Sequence, residues 1–311
     1  IPNRLKRHFF LFTMVQPSSQ AINEIYGQML KGRFSDVFAK NMKTMIKALP
    51  SVTIRLWTWM RQKMLPSPTK FHYIFNLREL SRIFQGVLRT PRASVPDTHT
   101  LFKLWRHECE RVFADKLTNL PDKALFDEQL NDVSQELLMR TAGLFVDEGD
   151  DEGNAKGKKA KKGKKGGGKA QKAPTGTGPD DLPDLEQVRA DESFFVDFLR
   201  DDVYDEDGVL VEEAPKVYEL GGNLEALRER MSEFLENYNQ TYPARKMNLV
   251  LFDDAMRHLM RISRCIGMPK GCCLLVGVGG SGKQSLTRLA SHVANYQTFQ
   301  ITITKSYNMN A

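Results

Sequence analysis

Residues Leu274 to Ser285 read Leu-Leu-Val-Gly-Val-Gly-Gly-Ser-Gly-Lys-Gln-Ser, an apolar run, a glycine-rich turn and a lysine at the start of a helical pattern. Gly277, Gly279, Gly280 and Gly282 put no side chain between backbone and ligand. Successive N–H groups can therefore converge on phosphate oxygens at the N-terminus of the following helix. Lys283 would reach the outer phosphates as a point charge. The spacing fits G-x-x-x-x-G-K, but Gln284 stands where Ser or Thr normally offers magnesium a hydroxyl. A Gln carbonyl is a longer, neutral and more mobile ligand for a hard cation, which makes Gln284 a weak magnesium ligand. Ser285 is turned about 100° further round the helix and does not simply replace it. The residues Gly277, Val278, Gly279, Gly280, Ser281, Gly282, Lys283, Gln284 and Ser285 thus support nucleotide binding more strongly than hydrolysis. The alternative is a glycine-rich strand-to-helix turn that binds nothing.

Such a loop needs a strand before it and a helix after it. Cys272 to Val276 has the composition of the strand, Lys283 to Ala294 the spacing of the helix, and Thr298 to Thr304 reads as a second strand. Strand, loop, helix and strand open a doubly wound α/β sheet, left incomplete here. Upstream, Phe9 to Val15 is strand-like. From Pro17 the pattern turns helical: Gln20 to Leu30 behind the caps Ser18 and Ser19, Val37 to Ala48, and Ser51 to Met64 ending before Pro66 and Pro68. Phe75 to Leu88 follows with Asn76 as its cap. Asp97 to Lys116 opens on an acidic cap and carries Leu101, Leu104, Trp105, Glu108, Val112 and Phe113. These helices make a bundle. Residues 147–191 combine an acidic patch, a Lys/Gly/Ala tract and a proline-containing stretch. They cannot bury enough apolar surface to offset their ordering entropy and are expected to be unstructured. Apolar residues return at Phe194 to Leu199, Val209 to Val217 reads as extended, and Leu224 to Tyr238 and Leu249 to Ile266 read as helices.

Five regions result: 1–16, a strand-like start; 17–146, a helical unit; 147–191, the Lys/Gly-rich insertion; 192–245, a linker with an extended segment and a helix; and 246–311, the start of an α/β unit with its glycine loop. The 311 residues, 41% of them hydrophobic, suffice for about two domains with cores of their own. No apolar run approaches the roughly 18 residues of a membrane span, and no leader-like layout opens the chain. The absence of an initiator methionine, and a stop one strand after the loop, suggest that both ends lie inside domains. Nine lysines between Lys156 and Lys172 exceed the net charge of +7, so the remainder is slightly acidic. The tract lacks aromatic residues for stacking, which disfavours nucleic acid and favours a solvated loop. Cys109, Cys265, Cys272 and Cys273 lack metal-ligand spacing and read as buried free thiols of a reducing compartment. His72, His107 and His258 read as packed or surface residues, and Trp57, Trp59 and Trp105 as core or interface anchors.

The stretch from Leu275 to Ala290, with Phe299-Gln300-Ile301 and Ser306-Tyr307-Asn308, closely resembles the fourth AAA+ module of dynein heavy chains. Ile1 to Phe9 and Lys70 to Arg82 resemble the end of the third module's large subdomain and its helical lid. The glycine-loop wording is most similar to axonemal outer-arm heavy chains, and the resemblance fades between about Asp147 and Glu213. It implies P-loop AAA+ modules with an α-helical lid subdomain, binding ATP or ADP with Mg2+ in the ring of an ATP-driven microtubule motor. It also implies neighbouring AAA+ modules of the same chain, other heavy, intermediate and light chains, and microtubules reached through regions outside this segment, all in the cytoskeleton of the cilium or flagellum axoneme. Gln284 is a feature of that module in the family, so hydrolysis and mere retention of nucleotide both stay open, as does an empty structural spacer. Arg4 and Arg7 match the place of an arginine finger acting on a neighbouring module. Arg78 matches the sensor-2 arginine that touches the preceding module's nucleotide, with Arg82 structural. Leu249 to Leu251 match the segment that passes the adenine, or are ordinary core.

Overall fold

The computed structural model describes residues 2–10, 12–34, 40–144, 182–205 and 210–301. A short helix, α1 (Asn3–Lys6), precedes five longer ones: α2 (Ser19–Arg33), α3 (Lys40–Lys63), α4 (Leu77–Arg89), α5 (Thr98–Phe113) and α6 (Leu120–Thr141). Their starts are set by side-chain caps. Ser18 accepts from the Ala21 N–H, Asp97 from Thr100 and Asn119 from Asp122. Asn76 and Glu79 form a reciprocal capping box on α4. Each such cap stabilises its helix by about 1 kcal/mol. The bundle closes around Trp105, 0% exposed, whose indole Nε1 donates to Thr53 Oγ1 at 2.9 Å. Phe102 lies against it, ring centroids 6.0 Å apart, and Leu49, Met60, Phe84, Phe113, Phe126 and Leu130 belong to the same core.

Three expectations need correction here. The helices expected at 37–48 and 51–64 are one helix, α3, with Pro50 buried in its interior; Val37 lies outside the described residues. An interior proline costs about 3 kcal/mol. Burial of Leu49, Val52 and Leu56 along one uninterrupted face, each contributing about 1.5–3 kcal/mol, outweighs it. Second, the helical unit, whose individual helices are read from the sequence only as far as Lys116, continues in α6, started by Asn119-Leu120-Pro121. Third, Phe9 to Val15 forms no strand among the described residues; Phe9, Phe10, Phe12, Met14 and Val15 are exposed. A strand exists by pairing, and β-like composition does not supply a neighbour.

The second unit comprises α7 (Leu185–Ala190), β1 (Phe195–Val196), β2 (Val203–Tyr204), β3 (Leu210–Glu212), β4 (Glu219–Leu220), α8 (Leu224–Thr241), α9 (Asp253–Ile266) and α10 (Lys283–Val293). β1 pairs antiparallel with β4, Phe195 opposite Leu220, and β2 pairs antiparallel with β3. Leu227, Met231, Tyr238, Met256, Leu259, Leu286, Leu289 and Val293 form the core between α8, α9 and α10. The segment expected to be unstructured, 147–191, lies outside the described residues up to 181, lysine tract included. Its last residues are ordered, with Leu182 and Val188 buried and Asp184 capping α7. The strand expected at 272–276 is unpaired and exposed. So are residues 298–301, and 302–304 lie outside the described residues, as does Ser306-Tyr307-Asn308. The α/β reading therefore holds as a glycine-loop helix beside a helical lid; among the described residues no parallel sheet pairs.

The two units meet at a buried carboxylate. Glu108 of α5, 0% exposed, accepts from Tyr218 Oη at 2.7 Å and pairs with the guanidinium of Arg264 on α9. Gly86 of α4 makes room for it: a Cβ there would stand 1.8 Å from Glu108 Oε2. Arg89 pairs with Asp197 and lies over the Tyr218 ring at 4.8 Å.

Candidate functional site

The glycine loop runs directly into α10. Gly280 (φ +80°) and Gly282 (φ +76°) occupy the left-handed region, which side chains disfavour, and Gly282 is the residue that starts the helix. No side chain caps α10, and its first turn holds no acid. Its leading N–H groups and the positive end of its dipole thus face the loop free of an internal anion. Lys283 Nζ donates to Gly277 O and Val278 O, both at 2.7 Å, and to Ser281 Oγ at 2.9 Å. A Cβ at Gly277 would lie 3.1 Å from Ser281 Oγ, a tight contact, and 3.5 Å from Lys283 Nζ, an ordinary one. Around Gly279, Gly280 and Gly282 a Cβ would meet nothing within 4 Å, so this side of the loop is open. The residues fit a phosphate: glycine backbone, unclaimed helix N–H groups and one ammonium.

For magnesium the fit is thinner. Gln284 is exposed and offers one neutral oxygen, with Ser285 half-buried beside it. Among the described residues no cluster of three His, Cys, Asp or Glu side chains could hold a metal. Mg2+ keeps several waters and often takes only one or two protein ligands besides phosphate, so Gln284 is compatible with it as a single ligand.

Leu286, Leu289 and Val293 bury one face of α10 against Met256, Leu259 and Met260 of α9. The other end of α10 is tied by Lys216 Nζ, which donates to Val293 O at 2.8 Å. Through Arg264 and Glu108 this packing continues into the lid.

Of the other candidates, Arg4 lies on α1 and Arg7 just after it; both are exposed, and Arg7 Nε donates to His8 Nε2 at 3.4 Å. Arg78 sits exposed in the first turn of α4, while Arg82 lies 4.0 Å from Glu79. The structure does not bring these arginines to the glycine loop. Leu251 is buried, Leu249 half-buried and Val250 exposed. His72 Nε2 donates to Lys116 O at 2.9 Å, and buried His107 contacts Ser193 O at 3.1 Å through Nδ1. His258 is exposed; Trp57 and Trp105 are buried, and Trp59 packs on the core.

The cysteines differ from expectation. Cys109 is buried, Cys265 half-buried, and Cys272 and Cys273 are exposed because no strand covers 272–276. Gly271 packs so closely on the Cys265 carbonyl that a Cβ would sit 1.8 Å from it, and this turn folds Cys273 back to Cys265. The thiol bond from Cys273 brings the Cys265 pKa down to about 7, and the same bond pushes Cys273 up.

Comparison with known proteins matches residues 247–311 to the P-loop containing dynein motor region D4 and residues 50–148 to the AAA+ lid domain. Mouse dynein axonemal heavy chain 5 is 40% identical over 314 aligned residues, covering 99% of this chain and 6% of that protein. Human dynein axonemal heavy chain 8 is 39% identical, with the same coverage of each. The dynein gamma chain of the flagellar outer arm of Chlamydomonas reinhardtii is 36% identical over all of this chain, again 6% of its own length. The chain thus spans about one-sixteenth of the relatives it matches. Among the described residues no helix is long and apolar enough to cross a membrane. With a lid bundle matched in its first half, a glycine-loop helix matched in its second, and similarity running through both, the chain belongs to the axonemal dynein heavy chain family.

Proposed function

We propose that residues 277–285 hold the phosphates of ATP or ADP at a regulatory AAA+ site within the ring of an axonemal, microtubule-based motor. The observation that carries this reading is the left-handed Gly280–Gly282 turn, which delivers an uncapped helix N-terminus and Lys283 to one open face. Backbone N–H groups of the loop and of α10 bind phosphate oxygens, and Lys283 exchanges its two carbonyl partners for phosphate charge. Gln284 would hold Mg2+, which neutralises phosphate charge when bound. Occupancy stiffens the loop, and α10 transmits that state to α9 and, by rigid packing, to the lid. Arg78 serves the preceding module's nucleotide, and Arg4 or Arg7 a neighbouring module as arginine finger. The intact motor assembles with other heavy, intermediate and light chains, reaches microtubules through regions outside this segment, and works in the axoneme of cilia or flagella.

A competing reading, a structural spacer, draws on the same lysine: its three bonds satisfy the ammonium inside the loop without any ligand. Binding of a fluorescent ADP analogue to the chain and to Lys283→Ala separates the two. Loss of the ammonium should weaken binding by about 2 kcal/mol, some thirtyfold in Kd, with an unchanged circular dichroism spectrum. Equal binding by both proteins would sink the assignment, and no binding by either would favour the spacer.

A further inference from the structure

A cavity of about 390 Å3 opens where the lid meets α7 and α9, away from the glycine loop. Five cationic side chains line it: Arg106 and Arg111 from α5, Lys123 from α6, Arg189 from α7 and Arg261 from α9. Three carboxylates oppose them. Glu110 is shared between Arg106 at 3.3 Å and Arg111 at 3.6 Å, and Asp115 between Arg111 at 3.6 Å and Arg261 at 3.1 Å. Asp127 faces Arg106, Arg189 and Lys123. The acids are fewer than the bases, and two of the three are already divided between two guanidinium groups each.

The donors are correspondingly under-used. Nε of Arg111 and Nε of Arg261 are buried with no hydrogen-bond partner, although each lies within ion-pair range of Asp115. Arg106, 8% exposed, bonds Ser134 Oγ at 3.2 Å through one nitrogen. Burial pulls the Arg106 and Arg261 guanidinium groups below their ordinary pKa, so the nearby carboxylates do not fully compensate these charges. Burial also pushes the Glu110 and Asp127 carboxyls up. Arg189 and Lys123 are exposed at the rim.

We propose that this cavity binds a compact, multiply charged oxyanion, a diphosphate group, seated on the guanidinium groups of Arg106, Arg111 and Arg261 and closed over by Arg189 and Lys123. Planar guanidinium forks match phosphate oxygens in a way that lysines alone do not, and a dianion or trianion offsets the cationic surplus. A ligand held by α5, α6, α7 and α9 at once would cross-link the lid to the unit that carries the glycine loop. The inference stands independently of the reading of 277–285.

The test uses the full chain carrying Lys283→Ala, so that the glycine loop contributes little. Pyrophosphate and ADP are titrated separately by calorimetry at low ionic strength, against the same protein with Lys123→Glu and Arg189→Glu added. Both rim residues are exposed, and circular dichroism verifies the fold. Binding weakened at least about tenfold by rim reversal, and falling with added salt, supports the site. Pyrophosphate alone binding identifies a free anion, and ADP binding equally well identifies a nucleotide diphosphate. No heat with millimolar pyrophosphate, or equal affinity in the rim-reversed protein, overturns the proposal.

Discussion

Glu108→Gln keeps the shape of a side chain that is 0% exposed and removes its charge. Tyr218 Oη, now 2.7 Å from the carboxylate, still finds an amide oxygen. Arg264, its side chain 12% exposed, is left without its carboxylate partner. Removing one member of a buried ion pair costs about 3–5 kcal/mol, and the retained hydroxyl bond offsets about 1 kcal/mol, so the variant should lose about 3 kcal/mol. That is a large share of the roughly 5–15 kcal/mol of a typical domain. Urea unfolding followed by circular dichroism should show a lower midpoint for a protein that still folds. In a double-mutant cycle, Glu108→Gln with Arg264→Met removes both charges, and its cost should fall about 2 kcal/mol short of the two single costs added together. Gly86→Ala is an independent probe, because its methyl would displace the same carboxylate oxygen. Additive single and double costs, or a Gly86→Ala protein as stable as the parent, would refute the idea that this pair couples the lid to α9.

Gly282→Ala places a Cβ at φ +76°, where space is open but the backbone is strained, so about 1–2 kcal/mol of stability should be lost along with phosphate binding. Unaltered thermal midpoint and ADP affinity would contradict the loop geometry. Cys265, with a pKa of about 7 set first by the Cys273 thiol bond, should reach half its maximal iodoacetamide rate near that pH. Cys273→Ala, which removes the donor, should move the midpoint upward, and mass spectrometry of the labelled peptide reads it out. Burial, then the charges of Arg111 and Arg264, hold His107 well below its ordinary pKa. The folded chain keeps it neutral while the unfolded chain protonates below about pH 6.5, so its contribution is complete above that pH and is lost as pH falls, by about 1.4 kcal/mol per unit. In His107→Gln the decline in stability between pH 6.5 and 5 should be shallower; parallel curves would remove His107 as the cause.

Local grammar was legible in the chain because it acts over three or four residues. Ser18, Asn76 and Asp97 start their helices as side-chain acceptors for nearby N–H groups. The glycine loop declares its left-handed turns by composition, since few other residues adopt them. Even the junction left a trace in Glu108, a carboxylate on the apolar stripe of α5, although nothing local names its partner Arg264, which lies 156 residues away.

Tertiary structure decided what depends on distant neighbours. Pro50 remains inside a helix because the core covers both of its flanks. Among the described residues, the runs at 9–15 and 272–276 show no pairing because a strand needs another strand beside it, whatever its own β-branched content. Cys273 meets Cys265 only through the Gly271 turn. The charged cavity exists because α5, α6, α7 and α9 converge there. Caps and glycine turns are settled by backbone geometry within one turn of chain, whereas pairing, burial and charge compensation depend on groups that only folding brings within a few ångströms.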